Sequence, residues 1–140
     1  MTDDVQAVAL RVKQLQHLHH RALNRALAAL GVSQVQWDTL RHLHRHPEAS
    51  LHDLARLTFQ TDQAFGTLAT RMAERGLIER TPGPGRAVRH RITAKGEAIR
   101  AAGADRVSAV AGESFAPLSA RQRDQLGDLL ELVLGAEPPT

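Results

Sequence analysis

Apolar residues recur at three- and four-residue steps through the start of the chain: Val5, Val8, Val12, Leu15, Leu18, Ala22, Leu23, Ala26, Leu27 and Leu30. This spacing predicts a helix over residues 5–30 with one apolar stripe, closed by Gly31. Ser33 caps a second helix to about Arg45, in which Trp37, Leu40 and Leu43 are spaced for one face and beyond which Pro47 follows. Ser50 caps a short third helix, "LHDLARLT", with Leu51, Leu54, Ala55 and Leu57 inward. Thr61 caps a fourth, "DQAFGTLATRMAERG", with Phe65, Leu68, Ala69 and Met72 inward and Gly76 at its end. Two short helices joined by the few residues of "TFQ" make a helix-turn-helix.

After Gly76 the period falls from 3.6 to 2. "LIER" predicts a strand, "TPGPG" a hairpin loop, and "RAVRHRIT" a second strand with Val88, His90 and Ile92 on one side and Arg89 and Arg91 on the other. The result is a basic two-stranded wing. Thr93 caps a helix from about Ala94 to Phe115. Ser119 and Gln122 form a capping box for a last helix striped by Leu126, Leu129, Leu130 and Val133. The first helix and the last two flank the central unit, and a small core does not easily cover all their apolar faces. Either a second copy buries them or they pack on one another within one chain. The predicted fold is mainly α with a small β-wing, a single domain over 1–140: a winged helix-turn-helix at 33–93 flanked by dimerisation helices at 5–30 and 94–134.

Composition narrows the chemistry. Length suits one domain, and with Trp37, Phe59, Phe65 and Phe115 the only aromatics, the core must be built from Leu, Ala and Val. The absence of cysteine removes disulfides, thiolate nucleophiles and cysteine metal sites. No apolar run approaches the roughly 18 residues of a membrane span, and "MTDDVQAVAL" lacks a secretory signal pattern, so a cytoplasmic location is expected. Net charge is +3, yet residues 71–100 hold eight basic residues against three acids, a local +5 that leaves the rest at −2. A basic segment on a near-neutral protein is the footprint of a nucleic-acid surface.

In order and spacing, "GVSQVQWDTLRHL", "RMAERGLIER" and "RAVRHRITAKG" resemble the second-helix entry, the "RLExxGLVxR" segment and the wing strand running into "LTxxG" of the MarR family (multiple antibiotic resistance regulators). Members are dimeric winged-helix transcription factors. The resemblance covers nearly the whole chain and is most specific over Thr61 to Gly96. It implies that the helix from Asp62 to Arg75 enters the major groove of double-stranded DNA, reading a pseudo-palindromic operator as a homodimer.

The helical wheel, independently of the family, leaves Gln63, Gly66, Thr67, Thr70 and Arg71 outward. Gln63 can pair with adenine, Thr67 can offer a hydroxyl or meet a thymine methyl, and Arg71 suits a phosphate. Gly66 in mid-helix is read either as close backbone approach or as a helix weakness without purpose. In the family the wing tip carries D-x-R, whose arginine enters the minor groove; here that arginine is Arg86, while Pro84 and Gly85 stand in the first two positions, so its orienting carboxylate is missing. Arg89 and Arg91 extend the basic surface.

Histidines His17, His19, His20, His42, His44, His46 and His52 cluster early in the chain, and His42 and His46 at i and i+4 have a spacing that can grip zinc, although no "HExxH" and no supporting carboxylate accompany them. Surface histidines and a metal-responsive sensor are the two readings. His90 reads as a packed histidine. Trp37, with His42, marks where the family places a small-molecule effector, either as core packing or as a pocket wall. Nucleophile–base pairs, paired acids and phosphate loops are missing, so no enzyme and no cofactor are indicated. The function expected is a dimeric, sequence-specific regulator of transcription, a repressor released by a small-molecule effector; the alternatives are a histidine-based metal sensor and a helical dimer that binds protein instead of DNA.

Overall fold

The computed structural model describes residues 2–83, 85 and 88–135. Six helices and a two-stranded antiparallel sheet follow in the order α1 (Thr2–Ala28), α2 (Gln34–Arg45), α3 (Leu51–Leu57), α4 (Asp62–Glu74), β1 (Ile78–Pro82), β2 (Val88–Ile92), α5 (Ala94–Phe115) and α6 (Ala120–Leu134). Mainly α with a β-wing is the fold class anticipated from the periodicity.

Helix starts are fixed locally. Ser33, Ser50, Thr61, Thr93 and Ser119 each accept a hydrogen bond from the backbone N–H three residues on, satisfying donors that the first helical turn leaves open. Capping boxes close at Ser33 with Gln36 and at Ser119 with Gln122. A third forms at Ser50, where Asp53 takes the role usually given to Glu or Gln. Gly31 (φ +76°) and Gly76 (φ +75°) turn the chain out of α1 and α4.

The core is a single cluster centred on Leu27, Trp37, Leu40, Leu43, Leu54, Phe65, Met72, Leu77 and Ile78. It draws on α1, α2, α3, α4 and the entry to the wing, so the helix-turn-helix is rigidly backed. The wing pairs Ile78 with Ile92, Arg80 with His90 and Pro82 with Val88. Thr81 and Pro82 therefore belong to the strand instead of the loop, because Pro82 sits at the open end of a two-stranded ribbon where a missing N–H is tolerated. Val88, anticipated on the inner side, is exposed: the ribbon projects beyond the core there, while His90 is buried and Ile92 half-buried. The inward set of α3 is likewise shorter than its pattern, with Leu54 and Ala55 buried and Leu57 exposed.

α1 packs on α5 and α2 through its second half, where Leu23 and Leu27 are buried. Its first half is bare: Val5, Val8, Val12 and Leu15 are exposed. α6 makes only marginal contact with the rest of the chain and buries none of its residues, leaving Leu129, Leu130, Val133 and Leu134 in the open. Packing within one chain thus accounts for the second half of α1 on α5, but not for the first half of α1 or for α6.

Candidate nucleic-acid interface and the cleft behind it

Burial of Phe65, Ala69 and Met72 against the core fixes the rotation of α4. Gln63, Thr67 and Arg71 are consequently exposed, and Gly66 and Thr70 are half-buried on the same side. Around Gly66 no atom lies within 4 Å of the space a methyl would occupy, so packing within the chain does not demand glycine there. Thr67 and Thr70 turn their hydroxyls back onto the helix: Thr67 donates to the Gln63 carbonyl (3.3 Å) and Thr70 to the Gly66 carbonyl (3.0 Å).

The wing lies beside this face. Arg91 pairs with Glu79 (2.7 Å) across the two strands, both exposed. Arg89 is half-buried, since its backbone bridges to Ser50 at the start of α3. Arg86 and Pro84 lie outside the described residues. Arg80, which shares the inner face with Ile78, donates to Thr70 Oγ1 on α4. Sequence reasoning passed over Arg80, although the period-2 phase running from Ile78 is a signal that could have found it. Asp62, the first residue of α4, receives His52 Nδ1 at 2.8 Å, tying α3 to α4 across the turn.

Beneath the wing, His90 is 2% exposed and neither ring nitrogen has a hydrogen-bond partner among the described residues. Burial, helped by the nearby positive charge of Arg80, pushes its pKa below the ordinary histidine value. It is a packed neutral histidine.

Behind α2 lies a cleft of about 370 Å³ toward α5, lined by Trp37, Arg41, His44, Arg45, Arg100 and Ser108 among others. The Trp37 indole N–H donates to the Arg100 carbonyl at 3.1 Å, so its polar edge is engaged, and the residue is 5% exposed. The Arg41 guanidinium sits 5.6 Å from the ring centroid, within cation–π range, and also bonds Asp38 (3.3 Å). Glu97 accepts from Arg100 Nε (2.9 Å) and meets His44 Nδ1 at 3.1 Å. The Arg100 bond, more than any other influence, holds the Glu97 carboxyl below its usual pKa. Burial raises Asp38, only partly offset by Arg41. Arg41 and Arg100 are thus paired within the chain with Asp38 and Glu97, and Arg45 adds a further guanidinium to the lining.

His42 does not line this cleft. Five residues on from Trp37, it is turned by about 140° around α2, and it lies nearer Asp38 and His46, with burial lowering its pKa. His44, seven residues from Trp37, takes the wall instead. Among the described residues no three His, Asp or Glu side chains are gathered as a metal site, His42 and His46 included.

The arrangement of helices, helix-turn-helix and wing is shared with solved regulators. Residues 30–87 match the family model described as "MarR family". The MarR family protein Rv2887 of Mycobacterium tuberculosis, solved in complex with salicylic acid, is 26% identical over 87% of this chain and 92% of its own, with a TM-score of 0.73. The central stretch of the chain, helix-turn-helix and wing, is thus similar to the MarR family. Its fold is a winged helix. A mutant of MarR from E. coli, complexed with operator DNA, superposes with a TM-score of 0.86 over 96% of this chain and 98% of its own at 21% identity. A MarR-family regulator from Rhodococcus sp. RHA1 gives 0.81 over 95% and 94%, at 24% identity. Among curated proteins none matches the chain. No helix among the described residues is long and apolar enough to cross a membrane.

Proposed function

We propose that this chain is a homodimeric, sequence-specific repressor of transcription, acting in the cytoplasm, whose hold on a pseudo-palindromic operator is loosened by a small anionic aromatic ligand bound beside Trp37. The observation that carries the reading is the outward polar face of α4, Gln63 to Arg71, set beside a basic wing on a rigid core. Gln63 and Thr67 read base edges in the major groove, while Arg71, Arg86, Arg89 and Arg91 supply positive charge for the backbone. Dimerisation is supported by the bare apolar stripes of α1 and α6. The cleft's arginines and the indole ring favour a carboxylate on a flat ring, and the salicylic acid carried by the relative Rv2887 has that chemistry. His42 lies off that wall and is left out of the ligand site.

A duplex selected from a random pool by the wild-type protein, then footprinted with and without salicylate, tests the whole reading. Dyad-symmetric protection with half-sites about one helical turn apart, weakened by salicylate, is the expected result. An asymmetric footprint overturns the dimeric model, and indifference to salicylate and to related aromatic acids overturns the effector assignment.

A further inference from the structure

One side-chain bridge links the first wing strand to the reading helix. Arg80 donates to Thr70 Oγ1, and Thr70 passes its own hydroxyl hydrogen to the Gly66 carbonyl at 3.0 Å. Thr70 has its single donor spent inside the helix and an acceptor site taken by Arg80, so it is poorly placed to read a base. On the other flank the wing is tethered by the Ser50–Arg89 bridge to the start of α3. Opposite Arg80 in the strand register stands His90, which offers the wing no hydrogen bond among the described residues. Arg80 thus adds a side-chain tie to α4 beyond the packing of Ile78 and His90 that seats the wing.

We infer that Arg80 is a positioning residue for DNA recognition, which through Thr70 holds the wing in register with the reading helix so that both engage DNA together. This rests on the DNA-binding reading above. The rival role for the same arginine is a plain phosphate contact, because a guanidinium engaged by one hydroxyl still has donors to spare. The two roles differ in what they do to selectivity. A phosphate contact strengthens every duplex and steepens the salt dependence by about one unit of slope. A bridge within the protein favours the matched duplex, leaves the salt slope alone, and is lost equally when either end is removed.

The test measures wild type, Arg80→Ala, Thr70→Val and the double variant on two duplexes: one selected from a random pool by the wild type and an unrelated one of equal length, each at low and moderate salt. Each single change is expected to weaken the selected duplex roughly tenfold, the worth of one hydrogen bond to a charged group. The unrelated duplex should barely respond, the double variant should lose no more than the worse single, and Thr70→Ser should restore binding. Thr70→Val is nearly isosteric, so it probes the bridge even if Arg80→Ala unfolds the wing. Equal loss on both duplexes with a shallower salt slope, or a double variant whose loss is the product of the singles, overturns the inference while leaving DNA binding intact. A wild type that retains no duplex at low salt overturns the DNA-binding reading itself, and the inference with it.

Discussion

The indole of Trp37 occupies the space that a side chain on residue 103 would need: a methyl on Gly103 would stand 2.3 Å from Nε1 and 2.4 Å from Cδ1. Helix α5 is thereby notched to receive α2, and the same ring faces the cleft. Gly103→Ala should force the indole out of its seat and cost about 1 to 3 kcal/mol, read as a lowered melting temperature. Trp37 is the chain's only tryptophan, so a red shift of its fluorescence should accompany the loss. An unshifted spectrum with an unchanged melt would contradict this packing.

Gly66 carries the opposite expectation. Space around it is open, so Gly66→Ala should stabilise the isolated protein by about 1 kcal/mol through helix propensity alone. If the helix backbone approaches DNA closely at this point, the same change should weaken operator binding. Opposite signs in a thermal melt and a binding titration are the result to look for; gains in both would show that the glycine has no role at the DNA.

Phe59, in the turn between α3 and α4, is held at φ +59° and is 95% exposed. A bulky residue in the left-handed region costs roughly 1 to 2 kcal/mol, and this one recovers nothing by packing. Phe59→Gly should raise stability by about 1 kcal/mol, measurable by urea denaturation. A loss would mean that the ring makes contacts the free chain does not display.

His90 sets a pH dependence with a definite sign. Its folded pKa lies below 6.5, the value for an unperturbed side chain. As pH falls through 6.5 the unfolded chain gains a proton that the folded chain refuses, so stability drops on acidification until the folded pKa is reached. Replacing His90 with Leu should flatten that part of the pH–stability curve, and an unchanged slope between His90 and the variant would rule out the histidine as its source.

Leu126 and Leu130 lie on α6, the first half-buried and the second exposed. Changing both to Asp would place unpaired charges in the proposed dimer seam and cost several kcal/mol of association. Sedimentation at micromolar concentration should show wild type as a dimer and the variant as a monomer. A wild type that is already monomeric sinks the dimer proposal.

Much of this frame could be read in advance, because helix caps and buried stripes are local signals. Ser33, Thr61 and Thr93 start helices where their hydroxyls imply, and Phe65, Ala69 and Met72 fix which side of α4 is bare. What eluded sequence reasoning depends on distant partners. Thr70 looks like a free reader on a helical wheel, and only the neighbouring strand shows that Arg80 engages it. Glu97 and Arg100 are ordinary helix charges until α5 brings them against His44. Gly103 seems a helix weakness until Trp37 arrives. Val88 alternates correctly but lies where the ribbon has outrun the core, which periodicity does not measure.

The residues that hold α4 in place and the residues it presents outward form two separate sets. Thr61 starts the helix and Phe65, Ala69 and Met72 anchor it, while Gln63, Thr67 and Arg71 contribute nothing to the buried core. The scaffold and its address label are thus written in different letters of the same short word. Under the proposed function, a lineage would reassign such a protein to new promoters by exchanging a few outward letters, with little penalty to the machinery that displays them.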